Sequence, residues 1–139
     1  LTFDSAGGSA VTDITQDYGS AITPPDAPTR TGYSFNGWSP AIPQTVPDTN
    51  STHTAQWTIN QYTLTFDSAG GSAVTDITQD YGSAITPPDA PTRTGYSFNG
   101  WSPSIPETMP AGNLSVTATW VEKPTDDEVF SDRFQNDGS

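Results

Sequence analysis

The cleanest alternation of apolar and polar positions runs from Leu114 to Trp120, with Leu114, Val116, Ala118 and Trp120 on one side and Ser115, Thr117 and Thr119 on the other. A period of two over that length predicts a half-buried strand. Gln61–Asp67 reads the same way. Tyr62, Leu64 and Phe66 face one side and Thr63 and Thr65 the other, with the β-branched and aromatic types that suit a pleated surface. In Tyr96–Trp101, Tyr96 and Phe98 alternate, and Gly100 before Trp101 predicts a bulge or a close backbone approach. The segments between these strands are less regular. Asp67-Ser68-Ala69-Gly70-Gly71-Ser72 predicts a turn, with two glycines able to take positive φ. Over 73–85 the signal is mixed. Val74, Ile77 and Tyr81 have helical spacing, but Thr and Ile dominate and Gly82 closes the segment. It is read as a strand with an irregularity, with Ile85 returning to the core. Pro87, Pro88 and Pro91 make 86–94 a loop or a short helical turn opened by proline. Residues 102–113 read as a polar, proline-rich connection.

All of this is present twice. Residues 1–40 match residues 64–103 at every position, an offset of 63 that sets Leu1 on Leu64. A period of that size means a tandem array of small modules. The expected organisation is module 1 over 1–58 with its first strand truncated, module 2 over 59–121, and an acidic, disordered tail over 122–139. Leu1 falls inside the strand that Tyr62–Phe66 represents, so the natural protein is expected to extend upstream. Between Trp57 and Tyr62 stand only Thr58, Ile59, Asn60 and Gln61. A joint that short, without Gly, Pro or Ser, is no flexible linker. It predicts restricted motion between modules and an extended arrangement. The copies then diverge over 41–57 against 104–120. Full identity over the preceding stretch exceeds what folding demands, since surfaces tolerate substitution, and recent duplication accounts for it. Arrays grown in this way usually set length. Identical neighbours can also exchange strands, so a monomer with some domain-swapped dimer at high concentration is expected.

Tyr33, Phe35 and Trp38 put three large rings into six residues, repeated as Tyr96, Phe98 and Trp101, and each module closes on a further ring, Trp57 or Trp120. Such rings make the core of a small domain with few other large side chains. They could instead form a stacking platform for a ligand. Tyr33, Trp38, Trp57, Tyr96, Trp101 and Trp120 are therefore the candidate ligand-facing residues, and their exposure discriminates between the two readings.

Composition narrows the field. A unit of about 60 residues buries only about 60% of its unfolded surface, so each module should be modestly stable. No cysteine is present, so there is neither a disulfide staple nor thiol chemistry. The net charge is -12, and the four basic residues are Arg30, Arg93, Lys123 and Arg133. Nucleic acid is excluded as a partner, because counterion release needs clustered Lys and Arg. Anionic membrane surfaces are disfavoured for the same reason, and no apolar run approaches a membrane span of roughly 20 residues. A soluble, mutually repelling array fits the charge. In the tail, Val129, Phe130 and Phe134 are the large apolar residues.

Catalytic chemistry finds little to work with. A site belonging to the module should occur in both copies, yet the single histidine, His53, corresponds to Val116. A half-buried or surface position on a strand is expected for it. Ser and Thr are plentiful without an activating base. Asp4, Asp13, Asp17 and Asp26 recur as Asp67, Asp76, Asp80 and Asp89. They read as solvated surface acids, with calcium at a module joint as the alternative and glycoside hydrolysis as a remote one. Neither module contains lysine, which excludes Lys–Asn or Lys–Asp isopeptide cross-links within the modules. Asn50-Ser51-Thr52 and Asn113-Leu114-Ser115 match the N-glycosylation pattern.

The repeat resembles the Listeria–Bacteroides, or internalin B-repeat, family. The resemblance rests on the strand Tyr62–Asp67, the Gly70-Gly71 turn, the Tyr81-Gly82 pair, and Pro91-Thr92-Arg93-Thr94-Gly95-Tyr96-Ser97-Phe98-Asn99-Gly100-Trp101 with a closing Trp120. The first copy shows the same series from Leu1 through Gly7-Gly8 and Tyr18-Gly19 to Trp38 and Trp57, so 1–121 is covered. It implies a mostly β chain of two small β-grasp, ubiquitin-like modules, each a mixed sheet crossed by a short helix or loop. It also implies a large, repetitive protein at the bacterial surface or secreted, whose repeats serve as spacers or adhesive units with no catalytic residue to carry over. The shortage of Lys and the acidic tail depart from the family, so ligand preferences of basic relatives do not transfer. The expected function is a non-catalytic stalk or adhesive repeat segment, without cofactor. The alternative is an adhesin module holding glycans or host or partner surface proteins through exposed rings.

Overall fold

The computed structural model describes residues 1–124. The expectation of a disordered tail therefore lies outside the described residues, apart from its first three. Of these, Glu122 still belongs to a strand.

The described residues contain seven strands and no helix: β1 (Thr2–Asp4), β2 (Tyr33–Ser39), β3 (Thr52–Ile59), β4 (Gln61–Asp67), β5 (Ile77–Asp80), β6 (Tyr96–Ser102) and β7 (Leu114–Glu122). They form two sheets, β1-β3-β2 in module 1 and β5-β4-β7-β6 in module 2. In module 2 the first and last strands, β4 and β7, lie side by side and parallel, Leu64 opposite Leu114 and Phe66 opposite Val116. The outer strands β5 and β6 pair antiparallel with them. Module 1 repeats the parallel pair as β1 with β3 and the antiparallel pair as β2 with β3.

The irregularity expected after the Gly-Gly turn resolves into β5. Its partners are Gln61, Tyr62, Thr63 and Leu64. In module 1 the equivalent segment Ile14–Asp17 is not a strand. Leu1 pairs with its first residue, the Leu1 carbonyl accepting the Ile14 N–H at 2.9 Å and the Leu1 amino group donating to the Ile14 carbonyl at 2.7 Å.

The core of module 2 is Leu64, Ile85, Met109 and Val116, with Tyr62, Phe66, Ile77, Trp101, Ile105 and Leu114 packed against it. Two of these correct the sequence reading. Ile105 and Met109 lie in the segment taken as a polar connection, yet Met109 is 1% exposed. The segment is held by Ile85 N–H to the Glu107 carbonyl (2.9 Å), Met109 N–H to the Ser83 carbonyl (2.9 Å) and Gly82 N–H to the Met109 carbonyl (2.8 Å). Prolines at 106 and 110 flank it and prevent a longer ladder. Module 1 keeps the same three bonds around Val46.

His53 is a further correction. It is 2% exposed, fully inside module 1 rather than half-buried. Its Nδ1–H donates to the Pro40 carbonyl at 2.6 Å, and the Ser51 hydroxyl faces Nε2 at 2.9 Å. A buried polar ring is tolerated when both its nitrogens are partnered.

The glycines divide into two jobs. Gly37 and Gly100, at φ 101 and 103, sit where the register of β2 on β3 and of β6 on β7 shifts. That bulge adds one residue and brings Trp38 and Trp101 to the face of Phe35 and Phe98. Of the two glycines in each Gly-Gly turn, the first, Gly7 or Gly70, takes positive φ, following Ala6 or Ala69 at φ 49. Gly8 and Gly71 serve space instead. A Cβ on Gly71 would fall within the Trp120 ring and 3.0 Å from the Thr92 carbonyl oxygen, and one on Gly8 would meet Trp57 and Thr29 in the same way.

Candidate functional site

Each module carries a row of rings on one sheet face. In module 2 the row is Phe66, Trp101, Phe98 and Trp120, with successive centroids 5.0, 5.3 and 5.6 Å apart and edge-to-face. Phe3, Trp38, Phe35 and Trp57 repeat it at 5.0, 5.3 and 5.6 Å. The bulge makes the row possible, because it sets residues from both halves of the strand on one face.

The six candidate rings are thereby placed. Trp38 and Trp101 are half-buried between two phenylalanines each. Trp57 and Trp120 close the row over the Gly-Gly turns, their indole N–H groups donating to the Ser5 and Ser68 carbonyls at 2.9 Å. Tyr33 and Tyr96 stand beside the row and are capped by arginine, with the guanidinium carbons of Arg30 and Arg93 3.8 Å above the ring centroids. The arginines were not singled out from the sequence. Their spacing to Tyr, three residues across a Thr-Gly turn, was the available signal.

In module 2 a groove of 470 Å³ opens along Pro91, Arg93, Tyr96, Phe98, Trp120 and Lys123. Two of the candidate rings, Tyr96 and Trp120, therefore line an open surface. A second groove of 460 Å³ lies in module 1 between 14–18 and 46–50. It is the place that Gln61–Thr63 fill in module 2, where Thr63 N–H donates to Asn113 Oδ1 at 2.9 Å.

The carboxylates do not converge. Among the described residues, no group of three or more His, Cys, Asp or Glu is placed to hold a metal. Asp4 and Asp67 instead cap their own turns, each accepting an amide N–H two residues on at 2.9 Å.

The contact between modules is the feature that the sequence reading outlined but did not resolve. Tyr81 of module 2 lies on the Arg30–Tyr33 turn of module 1. Its ring meets Tyr33 edge-on, with centroids 6.2 Å apart at 77°. It covers Gly32, where any Cβ would fall inside the ring. Asn60 ties the two together. Its N–H donates to the Gly32 carbonyl at 2.9 Å and its carbonyl accepts the Tyr81 N–H at 2.8 Å. Its side chain is held at both ends: Oδ1 accepts the Ser34 hydroxyl at 2.5 Å, and Nδ2 donates to the Tyr62 hydroxyl at 3.2 Å. Gly32 is needed for its φ of 81 and for the approach of that ring.

Comparison with known proteins follows the same division. The profile of the Listeria-Bacteroides repeat domain matches residues 1–60 and again 62–119. Over 129 residues the chain is 34% identical to internalin H of Listeria monocytogenes, covering 80% of this chain and 23% of that protein. It is 38% identical over 109 residues to a protein of Evansella cellulosilytica described as a Gly-rich membrane protein, covering 73% of this chain and 13% of the relative. A second membrane protein of that organism is 40% identical over 109 residues, with 16% of its length covered. The chain thus spans less than a quarter of each relative.

Proposed function

The chain belongs to the Listeria-Bacteroides repeat domain family, and on that premise we propose that it is a non-catalytic stalk segment of a bacterial surface or secreted protein. It acts by length and stiffness. The observation that carries the reading is the joint. Tyr81 seats on Gly32, and Asn60 bonds to both modules through its backbone and its side chain. A joint of this kind restrains the modules where a Gly/Ser linker would leave them independent. The names of the relatives, an internalin and membrane proteins, support the surface location. A non-catalytic role is supported by His53, which is closed into one core and replaced by Val116 in the other. We read module 2 as a helix-less β-grasp, on the strength of its parallel central pair between two antiparallel outer strands, and module 1 as the same unit by its repeated sequence and its matching β1-β3-β2 pairing.

The test is Tyr81→Ala in the full chain, with residual dipolar couplings measured for both modules. In the native chain one alignment tensor should fit both. In the variant two should be needed, while each module keeps its fold. Two independent tensors in the native chain would remove the stiffness on which the reading depends.

The adhesin reading is favoured by one observation, the open groove of Arg93, Tyr96, Phe98 and Trp120. Its shape and rings suit stacking of a sugar or an extended peptide. Saturable binding to a glycan or matrix-protein array, weakened by Tyr96→Ala, would move the protein to that class.

A further inference from the structure

The identical strands β2 and β6 each carry an asparagine directly before the bulge glycine, as Asn36-Gly37 and Asn99-Gly100. In an Asn-Gly pair the side-chain amide carbon can be reached by the next backbone nitrogen, because glycine has no Cβ to shield that nitrogen or to restrict its turning. Both asparagines are exposed. Neither member of either pair has a partner in the ladder, where the register steps from Phe35 to Trp38 and from Phe98 to Trp101. A bulge disrupts the ladder at such a step. The peptide that has to turn is thus not one that the strand register pairs. We propose that Asn36-Gly37 is a self-modification site that rearranges to isoaspartate, and that the Thr119 hydroxyl holds back the twin site, Asn99-Gly100.

The reaction needs water alone. The Gly37 nitrogen attacks Cγ of Asn36 and gives its proton to solvent. The new N–Cγ bond closes a succinimide ring, the Cγ–Nδ2 bond breaks, and the amide leaves as ammonia. Water then opens the ring. Opening at Cγ gives aspartate, and opening at the main-chain carbonyl gives isoaspartate, in which the chain runs through Cγ. The rate depends on how freely nitrogen and Cγ can reach the attack geometry, and there the two sites differ in one contact. Thr119 lies opposite the bulge of β6, and its hydroxyl donates to the Gly100 carbonyl at 3.0 Å. Turning the Gly100 nitrogen onto Asn99 swings that carbonyl away and breaks the bond. In module 1 Gln56 takes this place, and its amide donates instead to the Thr54 carbonyl at 3.1 Å. One neutral hydrogen bond corresponds to a rate ratio of about fivefold. The product puts one more main-chain carbon and a negative charge between Phe35 and Trp38, whose rings meet edge-to-face at 5.3 Å. The ring row of module 1 is therefore loosened before that of module 2. The proposal rests on neither the stalk nor the adhesin reading.

The full chain, kept folded at mildly alkaline pH, supplies the test. Trypsin, cutting after Arg30 and Arg93, delivers the two asparagines in separate peptides. Mass spectrometry with fragmentation should find isoaspartate forming at position 36 about fivefold faster than at position 99. Thr119→Val removes the hydroxyl and should raise position 99 to the rate of position 36. Gln56→Thr introduces the hydroxyl into module 1 and should slow position 36 to the rate of position 99. In urea the two identical segments, Tyr33–Ser39 and Tyr96–Ser102, should react alike. Equal rates in the folded chain, or a ratio that neither substitution moves, would overturn the inference. A ratio that follows the urea midpoints of the two modules, whatever stands at 56 and 119, would place the reaction in unfolded chains and overturn it too. So would a folded chain that forms no isoaspartate at position 36 while the chain in urea does, because the bulge would then protect the pair it is held to expose.

Discussion

Two modules that share 40 consecutive residues do not have the same core, and the difference can be moved. Module 2 buries Val116 and Met109 and packs Leu114 beside them, where module 1 has His53, Val46 and Ser51. The variant Val46→Met/Ser51→Leu/His53→Val writes the second core into the first module. Leu114 is half-buried, so the Ser51→Leu change should recover about half of the 1.5–3 kcal/mol that full burial gives, about 1 kcal/mol. Removing His53 and Ser51 together deletes both partners of a bond, which is close to neutral. The Pro40 carbonyl belongs to an exposed residue and can turn to water. The longer side chain that Val46→Met introduces fills the space left by the histidine and adds roughly 1 kcal/mol through its extra buried methylene. The sum is about 2 kcal/mol. Urea unfolding followed by tryptophan fluorescence reads it, since each module carries two tryptophans. With a slope near 1 kcal/mol/M, usual for small domains, the earlier of two transitions should move up by about 2 M urea and merge with the later one. A transition that stays in place or moves down would show that the histidine pair is not the weak point of module 1.

Other outcomes follow from the same contacts. Gly71→Ala should lower the stability of module 2 by about 2–4 kcal/mol, because the new methyl displaces Trp120 from its bond to Ser68. A red-shifted emission with only one module unfolded checks it. Arg93→Ala should cost module 2 about 0.5–1 kcal/mol through the lost cap on Tyr96, measured in the same urea titration.

The strands could be read from the chain because their signal is local. Tyr62, Leu64 and Phe66 alternate against threonine, and the structure buries that face. The bulge at Gly100 was visible for the same reason. Other features depended on distant partners. Nothing near Met109 tells that a proline-flanked loop will lie against Ser83 and Ile85. His53 is drawn inside because the strand places it opposite Phe3, at the position of Val116. The two glycines of each turn look alike in sequence, yet one answers a φ requirement and the other makes room for a tryptophan 49 residues away, as Gly71 does for Trp120. At the candidate site, the rings were evident and their use was not. Whether Tyr33 meets solvent or Tyr81 depends on the next module, which no window of sequence around Tyr33 contains.

The bulges at Gly37 and Gly100 have a consequence for how such arrays change over time. They fix which side of the strand every later residue faces, so insertion or loss of a single residue between Phe98 and Trp101 would exchange inside for outside along the rest of β6. Point substitutions in the loops face no such barrier. Drift is therefore channelled. Register within the strands is locked, and the differences between the copies, in loop and strand alike over 41–57 and 104–120, are substitutions without insertion or loss.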